Sequence, residues 1–134
     1  MNIFEGVSLL NWLGWAVVIG LVQLFLAGAA VTRQTGLAYN AGARDTPFTP
    51  TGMAARLQRA QANFMETFPI FAVGILALVV TGYDDPNAQL GAALYVIGRA
   101  LYVPLYAFGV PYVRTLVWTA SFAGLVMVLS VLFV

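Results

Sequence analysis

Arg59, Asn63 and Glu66 stand at i, i+4 and i+7, a spacing that puts a guanidinium, an amide and a carboxylate on one face of a helix. The helix that carries them runs on from Ile70 to Val80 without another charge, which is the composition of a membrane span. Ionisable groups inside a span are costly and normally face protein, ligand or water rather than lipid. Arg59 and Glu66 lie seven residues apart, about 10 Å along the axis, so they do not pair within one helix. Each needs a partner on another helix, another subunit or a ligand. One reading is packing alone, with polar side chains gluing helices together. The sharper reading is a site for a small ligand that carries both signs of charge.

The chemistry open to such a site is narrow. The chain has no His and no Cys, which removes an imidazole base, a thiolate nucleophile and a His/Cys metal site. Its five acidic residues are scattered, so no carboxylate metal site is expected either. All six basic residues are Arg, a permanently charged fork suited to carboxylates and other anions. A net charge of +1 argues against nucleic acid as a partner.

Further polar groups recur at helical spacing. Arg99 falls near the middle of the third apolar segment, followed by Tyr102 and Tyr106 at i+3 and i+7. Folding the second and third segments into a hairpin about Asp84 and Asp85 predicts Asn63 level with Tyr106, and Glu66 near Tyr102 and Val103. Arg99 then lies roughly 6 Å deeper than Glu66, and the expectation is that it meets Glu66 as a structural partner. Arg114 and Thr115 open the fourth segment. Arg33, Arg56, Arg59 and Arg114 converge on one membrane face, as the mouth of an anion site does, although Arg33 and Arg114 also suit ordinary membrane-edge anchors. Trp12, Trp15 and Trp118 read as interfacial or lipid-facing aromatics.

The elements that must position these groups follow from composition. Of 134 residues, 61% are hydrophobic and 8% charged, with mean hydropathy +0.88. A soluble domain carries roughly 25% charged residues, so the surplus apolar surface has to face lipid. Four spans are expected at about residues 9–31, 53–82, 88–108 and 112–133, forming one all-α membrane domain, a four-helix bundle. The acidic leader from Met1 to Glu5 and the lack of a small-residue cleavage site make the first a retained span rather than a signal peptide. Residues 32–51, with Gly36, Asn40, Gly42, Pro47 and Pro50, read as a loop. Thr49 or Thr51 suits a cap for the second helix, and Pro111 suits the first turn of the fourth. The Arg distribution places the first and third loops in the cytoplasm and both termini outside.

Arg59-Ala60-Gln61-x-Asn63-x-x-Glu66-x-x-Pro69 resembles the signature of the membrane-associated proteins in eicosanoid and glutathione metabolism, the MAPEG family. The resemblance extends to Gly98-Arg99-x-x-Tyr102-x-x-x-Tyr106 and to Pro111-Tyr112 ahead of Arg114-Thr115, and so covers nearly the whole chain. It implies a bacterial-type member in the inner membrane, assembled as a homotrimer, with glutathione as co-substrate bound between neighbouring subunits near the cytoplasmic face. It implies that Arg59, Asn63 and Glu66 hold the backbone and charged ends of glutathione. Gln61, Tyr102 and Tyr106 would line the pocket, with Arg33 at its edge, and Arg114 would be catalytic. The chemistry is consistent. Glutathione carries two carboxylates and an amine, and a guanidinium beside a thiol raises the thiolate fraction. Thr67 stands where several transferases of the family have Tyr, which removes one expected ligand contact. Arg33 is followed by Gln34 where some members have an Arg pair.

Two functions are expected from this. One is a glutathione-dependent transferase or peroxidase acting on lipophilic small molecules that arrive from membrane lipids. The other is a non-catalytic, lipid-binding or accessory subunit of a larger membrane complex, since the family includes a non-enzymatic branch and fold does not decide activity. A small multidrug transporter fits less well, because Glu66 lies near one membrane face and is crowded by Arg.

Overall fold

Ser8 opens the first helix reciprocally: its hydroxyl accepts from the Asn11 N–H at 3.3 Å, and Asn11 Oδ1 accepts from the Ser8 N–H at 2.8 Å. In the computed structural model, which describes residues 3–134, helix α1 then runs Leu9–Thr35 and stops at Gly36 (φ 87°). It outlasts the expected span, and in its last turns Thr32 and Thr35 donate their hydroxyls back to the carbonyls of Gly28 and Val31. The segment read as a loop contains a short helix, α2 (Leu37–Ala41). Gln34 clamps the far end of this segment, donating to the Thr51 carbonyl at 2.9 Å and accepting from the Thr51 N–H at 3.2 Å. Thr51 is the N-cap residue of α3 (Gly52–Thr81), but its side chain makes no capping bond.

Gly82 (φ 75°) ends α3. Asp85 then caps α4 (Pro86–Ala107) by accepting the Asn87 N–H at 2.7 Å, with Pro86 pre-set for the first turn. Helix α5 (Val113–Ser130) starts later than the sequence suggests, and a 3₁₀ turn over Val131–Phe133 follows it. Pro111 therefore stays outside the helix, where its carbonyl accepts the Val113 N–H at 2.6 Å. All four long helices are long and apolar enough to cross a membrane, and no strand occurs among the described residues.

Helix α4 is the centre of the bundle: 56% of its most apolar stretch is buried, against 17% for α1. Its most extensive partner is α5, while α1 packs chiefly on α3. The α4–α5 seam is a contact between glycines. A Cβ on Gly91 would sit 2.6 Å from the Gly124 carbonyl oxygen, and a Cβ on Gly124 would meet the Gly91 oxygen in return. Gly98 faces Ser121 in the same way, and the Ser121 hydroxyl donates to the Tyr95 carbonyl at 3.2 Å. Small residues of this kind let membrane helices approach closely, since lipid offers no hydrophobic drive toward association. Across the α3–α4 seam, Phe71 stacks on Tyr95 at 4.1 Å.

The α3–α4 register differs from the expected hairpin by about one turn. Arg59 meets Tyr106, and Asn63 meets Arg99. Since α3 stops at Thr81 and Asp85 already caps α4, the turn is centred earlier than an Asp84–Asp85 pivot.

The glycine seam makes a direct prediction. Gly124→Val should lower stability by about 1–3 kcal/mol or more through overpacking, read as unfolding in mixed detergent micelles. Gly28→Ala, at a position with nothing within 4 Å, should change it little. Equal losses in both variants would contradict the close approach.

Candidate functional site

A guanidinium at mid-span has to be hydrogen-bonded or shielded, and Arg99 on α4 is both. It is 1% exposed. Its carbon centre lies 4.6 Å from the Tyr102 ring and 5.7 Å from the Phe64 ring, and its Nη1 donates to Asn63 Oδ1 at 2.8 Å. Nε and Nη2 have no hydrogen-bond partner among the described residues. The expected Arg99–Glu66 contact is thus not formed, because the register brings Asn63 rather than Glu66 to the guanidinium.

Asn63 Oδ1 accepts a second bond, from the Trp118 indole N–H of α5 at 3.1 Å. Two donors on one oxygen fix the orientation of the amide, since the flipped form would set its NH₂ against both of them. The Asn63 nitrogen makes no hydrogen bond among the described residues and remains a donor for something else. Trp118 is therefore part of the site and not a lipid-facing aromatic. Its spacing held the signal, for it follows Arg114 by four residues and so shares that residue's helix face.

One turn nearer the membrane face, Tyr106 joins two cations. Arg59 Nε donates to its hydroxyl at 3.1 Å, and the Arg114 guanidinium lies 4.4 Å from its ring centre. Tyr102 packs edge-on against Tyr106 at 5.4 Å. A cavity of about 190 Å³ opens between Asn63, Tyr102, Arg114, Thr115 and Trp118. Small-molecule pockets usually hold about 300–1,000 Å³, so one chain presents a partial site.

The remaining sequence-predicted residues are placed differently. Glu66 is exposed on α3 and makes no hydrogen bond among the described residues. Gln61 is half-buried and stands about 200° around α3 from Arg59, off the Asn63 face. Arg33 lines a separate cavity with Gln34 and Leu26. Arg56 donates to the Ala107 carbonyl at 2.8 Å, where it caps the C-terminus of α4. Thr67 turns inward and shares a 2.9 Å hydrogen bond with the Tyr95 hydroxyl. No cluster of metal-ligating side chains occurs among the described residues.

Four apolar helices around a buried Arg, with a polar pocket toward one end, define an integral multi-pass membrane protein of the four-helix type. The MAPEG family pattern matches residues 12–134, nearly the whole chain, and the protein belongs to that family. Neither a curated protein nor a solved structure matches it.

Asn63→Leu should strand the buried Arg99 charge and cost about 3–5 kcal/mol in the same unfolding measurement. Trp118→Phe keeps the stack on Phe122 (5.3 Å) and loses only one N–H, so it should cost about 1 kcal/mol. An Asn63→Leu protein as stable as the parent would contradict the arrangement.

Proposed function

We propose that the protein is a glutathione-dependent membrane transferase or peroxidase acting on lipophilic electrophiles. The observation that carries this reading is the bracketing of Tyr106 by Arg59 and Arg114, beside an Asn63 amide whose nitrogen is left free to donate. The Arg59 guanidinium and the free N–H match a carboxylate and an amide carbonyl of glutathione, Glu66 matches its amine, and Arg114 is left for its sulfur. Tyr102 and Tyr106 form the wall. Since the pocket of one chain is too small for a tripeptide and Glu66 is exposed, the site is completed between copies in a homotrimer. Gln61, on the flank of α3 that also carries the buried Leu57 and Phe64, lies off this face. The Arg distribution supports a site facing the cytoplasm of a bacterial inner membrane, with both termini outside.

In this reading Arg114 holds the ligand's sulfur as thiolate, because a neighbouring positive charge favours the ionised form. The thiolate attacks an electrophilic carbon, forming S–C as the leaving group departs with the bonding pair. With a lipid hydroperoxide it attacks the terminal oxygen instead. S–O then forms, O–O breaks, and the alkoxide takes up a proton to leave as alcohol. A second glutathione converts the sulfenic acid to disulfide and water. Arg33 lines a different cavity of its own chain. The inward bond of Thr67 to Tyr95 favours one alternative, an accessory or lipid-binding subunit of a larger membrane complex.

Calorimetric titration of the detergent-solubilised protein should show saturable glutathione binding at millimolar concentration or below. Arg59→Ala should weaken it by about 10- to 100-fold. Arg114→Ala should keep most of the binding but lose about 100-fold in turnover of an electrophilic dye or lipid hydroperoxide. No binding at millimolar glutathione would refute the proposal, and co-purification with stoichiometric partners would then favour the accessory reading.

A further inference from the structure

Helix α5 begins without the usual supports. Its cap residue, Tyr112, makes no side-chain capping bond, and Arg114 sets a cation in the first turn, at the positive end of the helix dipole. Arg114 nevertheless has a defined place, 4.4 Å from the centre of the Tyr106 ring. The backbone ahead of it supplies the hold. Tyr112 has φ 57° and ψ −59°, and the Val113 N–H donates across it to the Pro111 carbonyl at 2.6 Å. Those angles and that i to i+2 bond make a γ-turn of the rare form, in which an L side chain crowds the backbone. The Tyr112 carbonyl then accepts the Leu116 N–H at 2.9 Å, the first bond of α5.

The Tyr112 side chain does nothing to offset this strain. Arg44, the other non-glycine residue with positive φ among the described residues, braces its own turn by donating to the carbonyl and side-chain oxygens of Asn40. The Tyr112 side chain makes no hydrogen bond among the described residues, so the turn is held from its two ends. On one side α4 closes in a Schellman ending at Gly109 (φ 69°). The Gly109 N–H meets the Tyr106 carbonyl at 3.0 Å, and the Val110 N–H meets the Leu105 carbonyl at 2.9 Å. Arg56 takes the Ala107 carbonyl beside them. On the other side, the Gly91–Gly124 and Gly98–Ser121 contacts fix α5 against α4. The cost of joining two pinned helices through a proline of fixed φ falls on Tyr112.

We propose that this turn is the positioning element of Arg114: the Val113 N–H, by closing on Pro111, winds the first turn of α5 and sets the guanidinium over Tyr106. Backbone strain of this kind persists where the surrounding structure over-determines it, and it gathers at functional sites. The effect on turnover rests on the role proposed above for Arg114, whereas the geometry does not. Without the turn, the first turn of α5 is uncapped, carries a cation and unwinds. Trp118, one turn further on, keeps its bond to Asn63. The pocket then persists while its cation is displaced.

The test uses variants of the full chain in detergent. Val113→Pro suits the first position of a helix, but it lacks the N–H and drives Tyr112 toward extended backbone. Val113→Ala keeps the N–H, and Tyr112→Gly keeps the turn without its strain. The ligand-free readout is the Arg114 Nε–H resonance, shifted upfield by the Tyr106 ring and identified by its loss in Arg114→Lys. The shift should persist in Val113→Ala and Tyr112→Gly and collapse in Val113→Pro, with the Trp118 indole resonance unchanged. Pro111→Gly, which loosens the turn without removing a hydrogen bond, should reduce the shift partway and serves where Val113→Pro does not fold. In Val113→Pro, kcat should fall about 10- to 100-fold while KM for glutathione stays within about threefold. Tyr112→Gly should unfold at a higher temperature than the parent and keep its turnover. An unmoved Arg114 resonance in both Val113→Pro and Pro111→Gly would overturn the inference. So would an equal collapse in Val113→Ala, which would assign the effect to the side chain, or a lower unfolding temperature in Tyr112→Gly. If the protein bound no glutathione, the functional reading would fail and the Arg114 resonance would still decide this one.

Discussion

A charged guanidinium in the middle of a membrane bundle has to be satisfied without water, and Arg99 imposes that requirement on everything around it. Its burial draws Asn63 from α3 and the rings of Phe64 and Tyr102 into one cluster. The cluster lines up α3 against α4. The glycine seam then brings α5 close enough for Trp118 to reach the same Asn63 oxygen. Three helices thus converge on one acceptor, and the pocket toward the Arg-rich end is a consequence of that convergence. Arg59, Tyr106 and Arg114 come together because the register set at Asn63 carries outward along the same faces.

The bundle presents two surfaces of different chemistry. On one side of α4 the aromatic and cationic groups form a small polar pocket, left open by a single chain. On the adjoining flank a groove along α1 is walled with hydrocarbon from Trp12 to Leu26. The division follows from side-chain placement on α4, where Arg99, Tyr102 and Tyr106 line one flank and Val96, Ala100 and Val103 the adjoining one, about 90° around the helix.

Much of this was legible in the sequence. The apolar runs and the polar breaks between them indicated four spanning helices, and the i, i+4, i+7 spacing put Arg59, Asn63 and Glu66 on one face. That Tyr102, Tyr106 and Arg114 gather toward that stripe was legible, though about one turn out of register. What remained hidden depended on distances between helices. The pairing of Arg99 turned on one helical turn of register, decided by Gly82 and Asp85 at the hairpin. Trp118 looked like a lipid-facing aromatic until its indole N–H had a partner across the bundle. Thr67 and Arg56 each met structural partners, Tyr95 and the end of α4, that no linear pattern announces. The groove along α1 depends on spacing between helices, to which hydropathy is blind.

The side-chain amide of Asn63 reports on the central claim most directly, because its oxygen is held by Arg99 and Trp118 and its nitrogen is not. Nitrogen-15 NMR of the detergent-solubilised protein, titrated with glutathione, should show the Asn63 NH₂ resonances shifting saturably while the Trp118 indole resonance stays hydrogen-bonded. An Asn63 amide that does not respond at saturating glutathione, or a Trp118 indole that is free in the unliganded protein, would contradict it.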